Sequence, residues 1–300
     1  MITLIICTYN REKYIGPLLD SIVKNDYPTS DYEIVLVDNN CTDNTREVCE
    51  QFATTHPEIR SRYVVETEQG LSAARNKGIE EAQGDIIIYV DDDALVDTDY
   101  IRIYAEHFAT HPETMAAGGP IEPLYETEEP KWMSPYTKAL LTAWMNYGDK
   151  VREYPNGRYP GGGNAAYRKV VFDKVGLFNT ELGRKGSALL ASEEKDIFDK
   201  MKAQGMQVLY LPTPVLHHII PQAKLEEDYF NLLTLQIGRS ERMRTRAISK
   251  GKYLKRLLSE GVKWGGTLVL LGIYTLQLHP MKGWKLVLFR RNVTKGLLGG

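Results

Sequence analysis

The chain has 300 residues, 43% of them apolar and 25% charged, with a formal net charge of −2; this is the make-up of an ordinary globular protein with enough apolar content for a substantial core, in one large domain or two ordinary ones. Its three cysteines, Cys7, Cys41 and Cys49, form neither a CxxC pair nor a metal-ligand spacing, and their odd number argues against a disulfide framework, so a reducing, cytoplasmic setting is expected. The near-neutral total hides an asymmetry: from Gly238 onward 14 Lys or Arg face only Glu241 and Glu260, which leaves 23 basic and 37 acidic residues before that point.

Residues 2–7 form a continuous apolar run with neither a basic leader nor a small-residue cleavage site, so the segment reads as a first strand and not as a signal peptide. The polar turn Thr8-Tyr9-Asn10-Arg11 follows, then a helical pattern through Tyr14, Leu18, Leu19, Ile22 and Val23. Residues 31–38 repeat the plan, with a strand that ends at Asp38-Asn39-Asn40 and a helix to about residue 53 that Thr42 or Asp43 can cap. A short strand over 62–65 precedes a helix that starts at Gly70-Leu71-Ser72 and ends near Gly84. Strands alternating with helices imply a parallel sheet with right-handed crossovers.

The run from Asp85 to Val90 is rich in Ile and Val and stops at Asp91-Asp92-Asp93, which reads as a buried strand carrying an anionic cluster at its carboxyl end. Three adjacent carboxylates repel one another where water is scarce. A hard divalent cation, Mg²⁺ or Mn²⁺, relieves the conflict and completes its shell with water and phosphate oxygens; the bland alternative is a solvated loop that caps a helix beginning at Ala94. In open α/β sheets ligands gather at the carboxyl ends of strands. The turns at Thr8 to Arg11, at Asp38 and at Asp91 to Asp93 are therefore expected to converge on one edge.

Beyond a helix over 99–110, the stretch containing Trp132 and Trp144 reads as irregular. Gly161-Gly162-Gly163-Asn164 frees the backbone for close approach to a ligand or forms a flexible turn before a strand. A short helix is expected over 172–177, and another opens at Ser192-Glu193-Glu194 and ends at Gly205. Short strands fall at 208–211 and 215–220, the second carrying His217 and His218, and residues 226–248 read as helical. The uncharged stretch 264–278 falls short of the roughly 20 residues a spanning helix needs. A basic, amphipathic, Trp- and Tyr-bearing tail suits the headgroup region of an anionic membrane; the alternative is a helical pair packed on the main domain or on a second subunit, which leaves a homo-oligomer open. Nucleic acid is not an expected partner, because the acidic portion repels phosphate and no binding motif accompanies the basic residues.

The order Cys7-Thr8-Tyr9-Asn10-Arg11, Val37-Asp38-Asn39-Asn40, Gly70-Leu71-Ser72-Ala73-Ala74-Arg75-Asn76-Lys77-Gly78, Asp91-Asp92-Asp93, Gly162-Gly163-Asn164, Leu182-Gly183-Arg184-Lys185-Gly186 and Glu193-Glu194 resembles the family 2 glycosyltransferases of GT-A fold, over roughly residues 1–240. The resemblance implies a Rossmann-like α/β fold, with a mixed but mostly parallel sheet flanked by helices. It divides the chain into a catalytic domain over 1–228, with a nucleotide-binding half at 1–118 and an acceptor-binding half at 119–228, and a helical basic segment over 229–300.

It also implies inverting transfer of a sugar from a nucleoside-diphosphate donor, with UDP the expected nucleotide and Mn or Mg as cofactor, to a hydroxyl of a saccharide or lipid-linked saccharide in cell-surface polysaccharide synthesis. The protein would then be cytoplasmic or peripheral on the cytoplasmic face of a membrane. By resemblance Tyr9 stacks on the base, Asp38 bonds the base or ribose, Arg75 places the uracil or diphosphate, and Asp91 bonds the ribose or the metal's water. Thr8, Asn10, Arg11, Asn76, Asp92, Gly163 and Asn164 complete the nucleotide-sugar side. Asp93 is the metal ligand, joined by Asp91 and one of His217 and His218, with His218 favoured since alternate strand residues face opposite ways. Glu194 is the expected general base, with Glu193 or Asp196 as substitutes. Two other readings are a sugar nucleotidyltransferase, which would want a glycine-rich loop where Thr8-Tyr9-Asn10-Arg11 stands, and a non-catalytic nucleotide-binding scaffold.

Overall fold

In the computed structural model the chain is described over residues 1–183 and 193–300; Arg184-Lys185-Gly186 and Ser192, singled out from the sequence, lie outside the described residues. The first half alternates as expected: β1 (Ile2–Thr8), α1 (Glu12–Val23), β2 (Tyr32–Asp38), α2 (Thr45–Thr55), β3 (Arg60–Val65), α3 (Leu71–Glu81) and β4 (Ile86–Val90). There follow β5 (Ala94–Val96), α4 (Tyr100–Thr110), β6 (Thr114–Gly118), β7 (Ile121–Tyr125), α5 (Pro135–Thr142), β8 (Arg152–Glu153), β9 (Asn164–Arg168), α6 (Val170–Val175), α7 (Glu193–Ala203), β10 (Gln207–Tyr210) and β11 (Leu216–Ile220). The long helices α8 (Glu227–Ile248), α9 (Lys250–Leu276) and α10 (Pro280–Leu298) close the chain.

Two compact units result, one of residues 1–123 with 145–219, the other of residues 124–144 with 220–300. The first is built on a sheet of order β3, β2, β1, β4, β9, β6, β10, β8. β1 runs parallel to both β2 and β4, whereas β9 is antiparallel to β4 and β6, so the sheet is mixed but mostly parallel. The strands are apolar on both faces because both are covered. Leu4, Ile6, Ile34, Leu36, Ile88 and Val90 pack beneath α1, α2 and α4; their neighbours Ile5, Val35, Val37, Ile87 and Tyr89 pack beneath α3, α6 and α7.

Strand order reverses between β1 and β4, the place where a crevice opens at the carboxyl ends of an open sheet. Thr8 pairs with Asp38 at the last step of the β1–β2 ladder, and the three aspartates follow β4. The convergence expected of these turns is present.

Two expectations are corrected. No helix begins at Ala94: residues 94–96 form β5, which pairs antiparallel with β11. The segment read as irregular after residue 110 contains β6, β7 and α5. β6 reads Thr-Met-Ala-Ala-Gly, with a single β-branched residue as strand signal, yet packing demands the small residues at its end. A Cβ on Gly118 would lie 2.7 Å from the Asn164 carbonyl oxygen, and one on Gly119 would lie 2.1 Å from that of Pro214.

The second unit has its own small core of Met133, Leu141 and Phe230. α5 starts on a capping box between Ser134 and Thr137, which satisfies two orphan helix donors. α8 and α10 cross closely at Gly238 and Gly296, where a Cβ on Gly238 would sit 2.2 Å from the Val293 carbonyl oxygen. Among the described residues no helix is long and apolar enough to cross a membrane.

Candidate functional site

The crevice at the β1/β4 edge of the first unit is lined by two carboxylate clusters, each held by one arginine. In the first, Arg11 at the start of α1 donates from Nε to Asp92 Oδ1 at 3.2 Å, and its Nη2 lies 3.6 Å from Asp93 Oδ2. Asp93 is buried, and its Oδ1 is 3.3 Å from His218 Nε2. The antiparallel register that opposes His218 to Ala94 brings them together, and the Ile219 N–H donates to the Asp93 carbonyl at 2.8 Å. His217 points the other way and meets Asp97 at 3.0 Å, as strand alternation requires.

Burial pushes the Asp92 carboxyl up to about 7; Arg11 draws it down, and Asp93 and Asp91 push it further up. The cluster thus carries more negative charge than Arg11 alone neutralises. Among the described residues no three His, Cys, Asp or Glu side chains are preassembled around one point as a cation site. The donor chemistry nevertheless fits a hard cation. Asp93 and His218 stand at about the 3 Å separation of adjacent ligands on one Mg²⁺ or Mn²⁺, an ion that normally draws the rest of its shell from water and phosphate.

In the second cluster Arg75, on the buried face of α3, donates from Nη1 to Glu193 Oε1 at 3.0 Å and from Nη2 to Glu194 Oε1 at 2.8 Å. Its guanidinium carbon lies 5.6 Å from the Tyr89 ring centroid and 5.4 Å from that of Phe178, so packing and charge fix it together. Burial works against its charge, but Glu194, Glu193 and Asp91 outweigh it and raise the guanidinium's affinity for its proton. Glu193 is 2% exposed and Glu194 19%, so only Glu194 offers a carboxylate to the crevice. Asp196 turns away to Lys200 at 2.7 Å.

The glycines before β9 explain how the clusters come so close. A Cβ on Gly162 would lie 1.7 Å from Glu194 Oε1 and 2.4 Å from Arg75 Nη2, while one on Gly163 would lie 2.0 Å from Asp91 Oδ2. The Asp91 N–H reaches the Gly163 carbonyl at 3.4 Å. Any side chain there would displace a carboxylate.

The nucleotide-side residues separate into open and committed groups. Tyr9 is 46% exposed at the end of β1, and the buried Thr8 closes that strand with its carbonyl accepting from the Asn39 N–H at 2.9 Å. Asn10 holds a left-handed φ of 54°, and its Oδ1 accepts from the Thr42 N–H at 2.7 Å. Asp38 accepts from the Cys41 N–H at 2.6 Å and the Tyr63 hydroxyl at 2.5 Å. Burial alone would raise its carboxyl, but these bonds together with Arg46 lower it.

Two asparagines expected on the donor side bond within the protein. Asn164 is fully buried, accepting from Tyr100 and Tyr104 at 2.8 and 2.6 Å and donating to the Pro120 and Pro214 carbonyls at 2.8 and 2.9 Å. Its amide has no capacity left for a ligand, so it positions β9. Asn76 exchanges two 2.9 Å bonds with the Phe178 backbone, which leaves one N–H and one lone pair of its amide uncommitted to that backbone.

Sequence reasoning passed over Asn39, which donates to the Glu66 and Glu68 carbonyls and accepts from the Gly70 N–H, tying the end of β2 to the start of α3. It also passed over Tyr63 and Tyr89. The doubled Asn after Asp38 was the available signal for the first; nothing local marks the tyrosines.

A β-sheet of this order with acidic and basic side chains converging at its switch point defines a GT-A-type α/β protein. Solved structures share that fold. A mannosyltransferase from Pyrobaculum calidifontis, PcManGT, solved with GDP-Man and Mn²⁺, aligns at TM-score 0.64 and 18% identity over 99% of this chain and 87% of that one. TarS 1–349 of S. aureus, in complex with UDP-GlcNAc, aligns at TM-score 0.56 and 17% identity over 99% and 92%.

The glycosyl transferase family 2 profile matches residues 3–176, and the chain belongs to that family. It is also similar to the glucosyl-dolichyl phosphate glucuronosyltransferase of Haloferax volcanii, with 24% identity over 266 residues, 86% of this chain and 83% of that protein.

Proposed function

We propose that this chain transfers a hexosyl or N-acetylhexosaminyl group from a nucleoside-diphosphate sugar, UDP-linked in the first instance, to a hydroxyl of a saccharide or lipid-linked saccharide, with inversion. The observation that carries the reading is the pair of clusters at one crevice: Asp91 to Asp93 with His218 on one side, Arg75 with Glu194 on the other, brought close together by Gly162 and Gly163, which place no side chain between them. Tyr9 presents an exposed ring for the base, Asp38 a carboxylate for the base or ribose, and Arg75 a fixed positive charge. Asp93, with His218 and Asp91, would hold a divalent cation, which when bound neutralises charge on the departing diphosphate.

Glu194 takes the proton of the acceptor hydroxyl while that oxygen bonds to the anomeric carbon. The bond from that carbon to the diphosphate breaks on the opposite face, and its electron pair leaves with the nucleotide. Glu193, buried against Arg75, orients the arginine and does not reach the acceptor. The named substrate of the Haloferax relative, glucosyl-dolichyl phosphate, supports a lipid-linked acceptor, and the GDP-Man and UDP-GlcNAc complexes of the structural neighbours support a nucleotide-sugar donor.

A screen of UDP- and GDP-sugars for cation-dependent release of nucleoside diphosphate tests the reading. Glu194→Gln should lower turnover by about 10²–10⁴-fold with donor affinity retained. Unchanged turnover in that variant would move the base to another group, and absence of turnover with every donor would overturn the reading.

A further inference from the structure

The second unit carries a surface that sugar transfer does not use. α9 is 27 residues long, or about 40 Å, and one side of it is fully engaged. The Tyr253 hydroxyl donates to the Leu297 carbonyl at 2.8 Å, and Trp264 Nε1 donates to Thr294 Oγ1 at 3.0 Å. The buried Glu260 takes Arg256 at 2.7 Å and Arg290 at 3.0 Å. The opposite side has no such partners among the described residues. Leu254, Leu258, Val262, Val269, Ile273 and Leu276 are all exposed, with Leu258, Val262 and Leu276 at 75%, 78% and 86%, and at helical spacing they fall within an arc of about 100°. Past the helix end the exposed Leu278, Met281 and Trp284 extend the apolar surface. An uninterrupted apolar stripe of this length in contact with water marks an interaction surface.

Charge identifies what covers it. From Gly238 onward the only acids are Glu241 and Glu260, and both are held by arginines, Glu241 by Arg244 at 2.9 Å and by Arg256 at 3.0 Å. The exposed Lys250, Lys252 and Lys255 therefore have no acid on this segment left to balance them. A second copy of the same surface would meet it with like charge. A bilayer with anionic headgroups meets both the cations and the apolar stripe.

Where the stripe begins, at the corner between α8 and α9, a cleft of about 510 Å³ is lined by Arg246, Lys250, Tyr253 and Leu254, with the Arg246 guanidinium 4.8 Å from the Tyr253 ring centroid. Two cations and an aromatic ring beside an apolar groove are the chemistry that receives a lipid phosphate and its glycerol backbone.

We infer that α9 lies in the plane of an anionic bilayer, its stripe sunk to the level of the acyl boundary, with one lipid headgroup seated in the Arg246–Lys250 cleft. The charged inner face of α9 rules out a spanning orientation. The inference stands apart from the sugar-transfer reading, since vesicle binding is measured without a donor.

The full chain should co-sediment with vesicles containing about one-third phosphatidylglycerol and not with pure phosphatidylcholine. Val262→Glu with Val269→Glu should weaken binding by at least about tenfold, and Arg246→Ala with Lys250→Ala by about 10–30-fold. All four side chains lie on the outer surface or the rim of the cleft, so helix content should be retained; Trp284→Ala, a milder change, serves as a further check and should weaken binding about tenfold. Retained binding in these variants would overturn the inference, as would equal binding to neutral vesicles. Concentration-dependent dimers abolished by the glutamates, with no vesicle binding, would assign the stripe to a second copy instead.

Discussion

The two arginine–carboxylate clusters of the crevice use the same chemistry and differ in permanence. Arg75 is buried, packed between Tyr89 and Phe178, and bonded to two glutamates at 3.0 Å or less. Arg11 is 37% exposed and spans Asp92 and Asp93 at 3.2 and 3.6 Å. The first cluster is locked in place. The second is an anionic site held by a counter-ion that can withdraw into solvent. In the proposed reaction a cation arriving with a diphosphate would compete with Arg11 for the aspartates and not with Arg75 for the glutamates. On the proposed reading, exchangeable neutralisation would serve the leaving-group side and fixed geometry the acceptor side.

The contrast breaks most visibly in stability. Arg75→Leu leaves Glu193 charged and buried without its arginine, which should cost about 3–5 kcal/mol; Arg11→Leu should cost less than about 1 kcal/mol, because Asp92 can take a proton instead. Denaturant titration of the two variants checks this, and equal losses would erase the distinction. Gly162→Ala is the next largest effect. Its methyl must push Glu194 or Arg75 aside, so turnover should fall by about 10²-fold, whereas nucleotide affinity, to which Tyr9, Asp38 and the aspartates also contribute, should fall by less than about fivefold. A loss confined to affinity would mean that the glycine serves the donor alone.

The smallest effect is on pH. With its carboxyl raised to about 7 by burial, Asp92 favours folding while protonated. That contribution is complete below its unfolded value near pH 4 and is lost as pH rises through about 7. Relative to Asp92→Asn, the cation-free protein should therefore lose about 2–4 °C of Tm across that window, and Mn²⁺ should remove the difference. A gap that does not vary with pH would show that Asp92 is already ionised beside Arg11.

Much of the sheet was legible because β1, β2 and β4 are short, rich in Ile, Val and Leu, and cut off by polar turns. The acidic cluster was equally plain, since three carboxylates after a buried strand pose a charge problem that composition alone exposes. β5, β6 and β7 were not legible: Ala94 to Val96 is three residues long, and Thr114 to Gly118 trades β-branched side chains for small ones that let Asn164 and Pro214 approach. The orientation of Asn164 was hidden for a related reason. It stands beside a glycine run that does line the crevice, yet its side chain turns inward to Tyr100 and Tyr104, and local sequence cannot tell which way such a residue faces. The Glu193–Arg75 pair, 118 positions apart, became visible only in three dimensions.

The central claim is that the Asp91 to Asp93 crevice holds a nucleoside diphosphate through a divalent cation. The most direct test is the melting temperature of the purified chain with UDP or GDP, with and without Mn²⁺, alongside Asp93→Asn. At about 100-fold excess over Kd a bound nucleotide adds about 2.7 kcal/mol. The account predicts a rise in Tm for one nucleotide only when the cation is present, and none in Asp93→Asn. A rise that ignores the cation and survives Asp93→Asn, or no rise with either nucleotide, would contradict it.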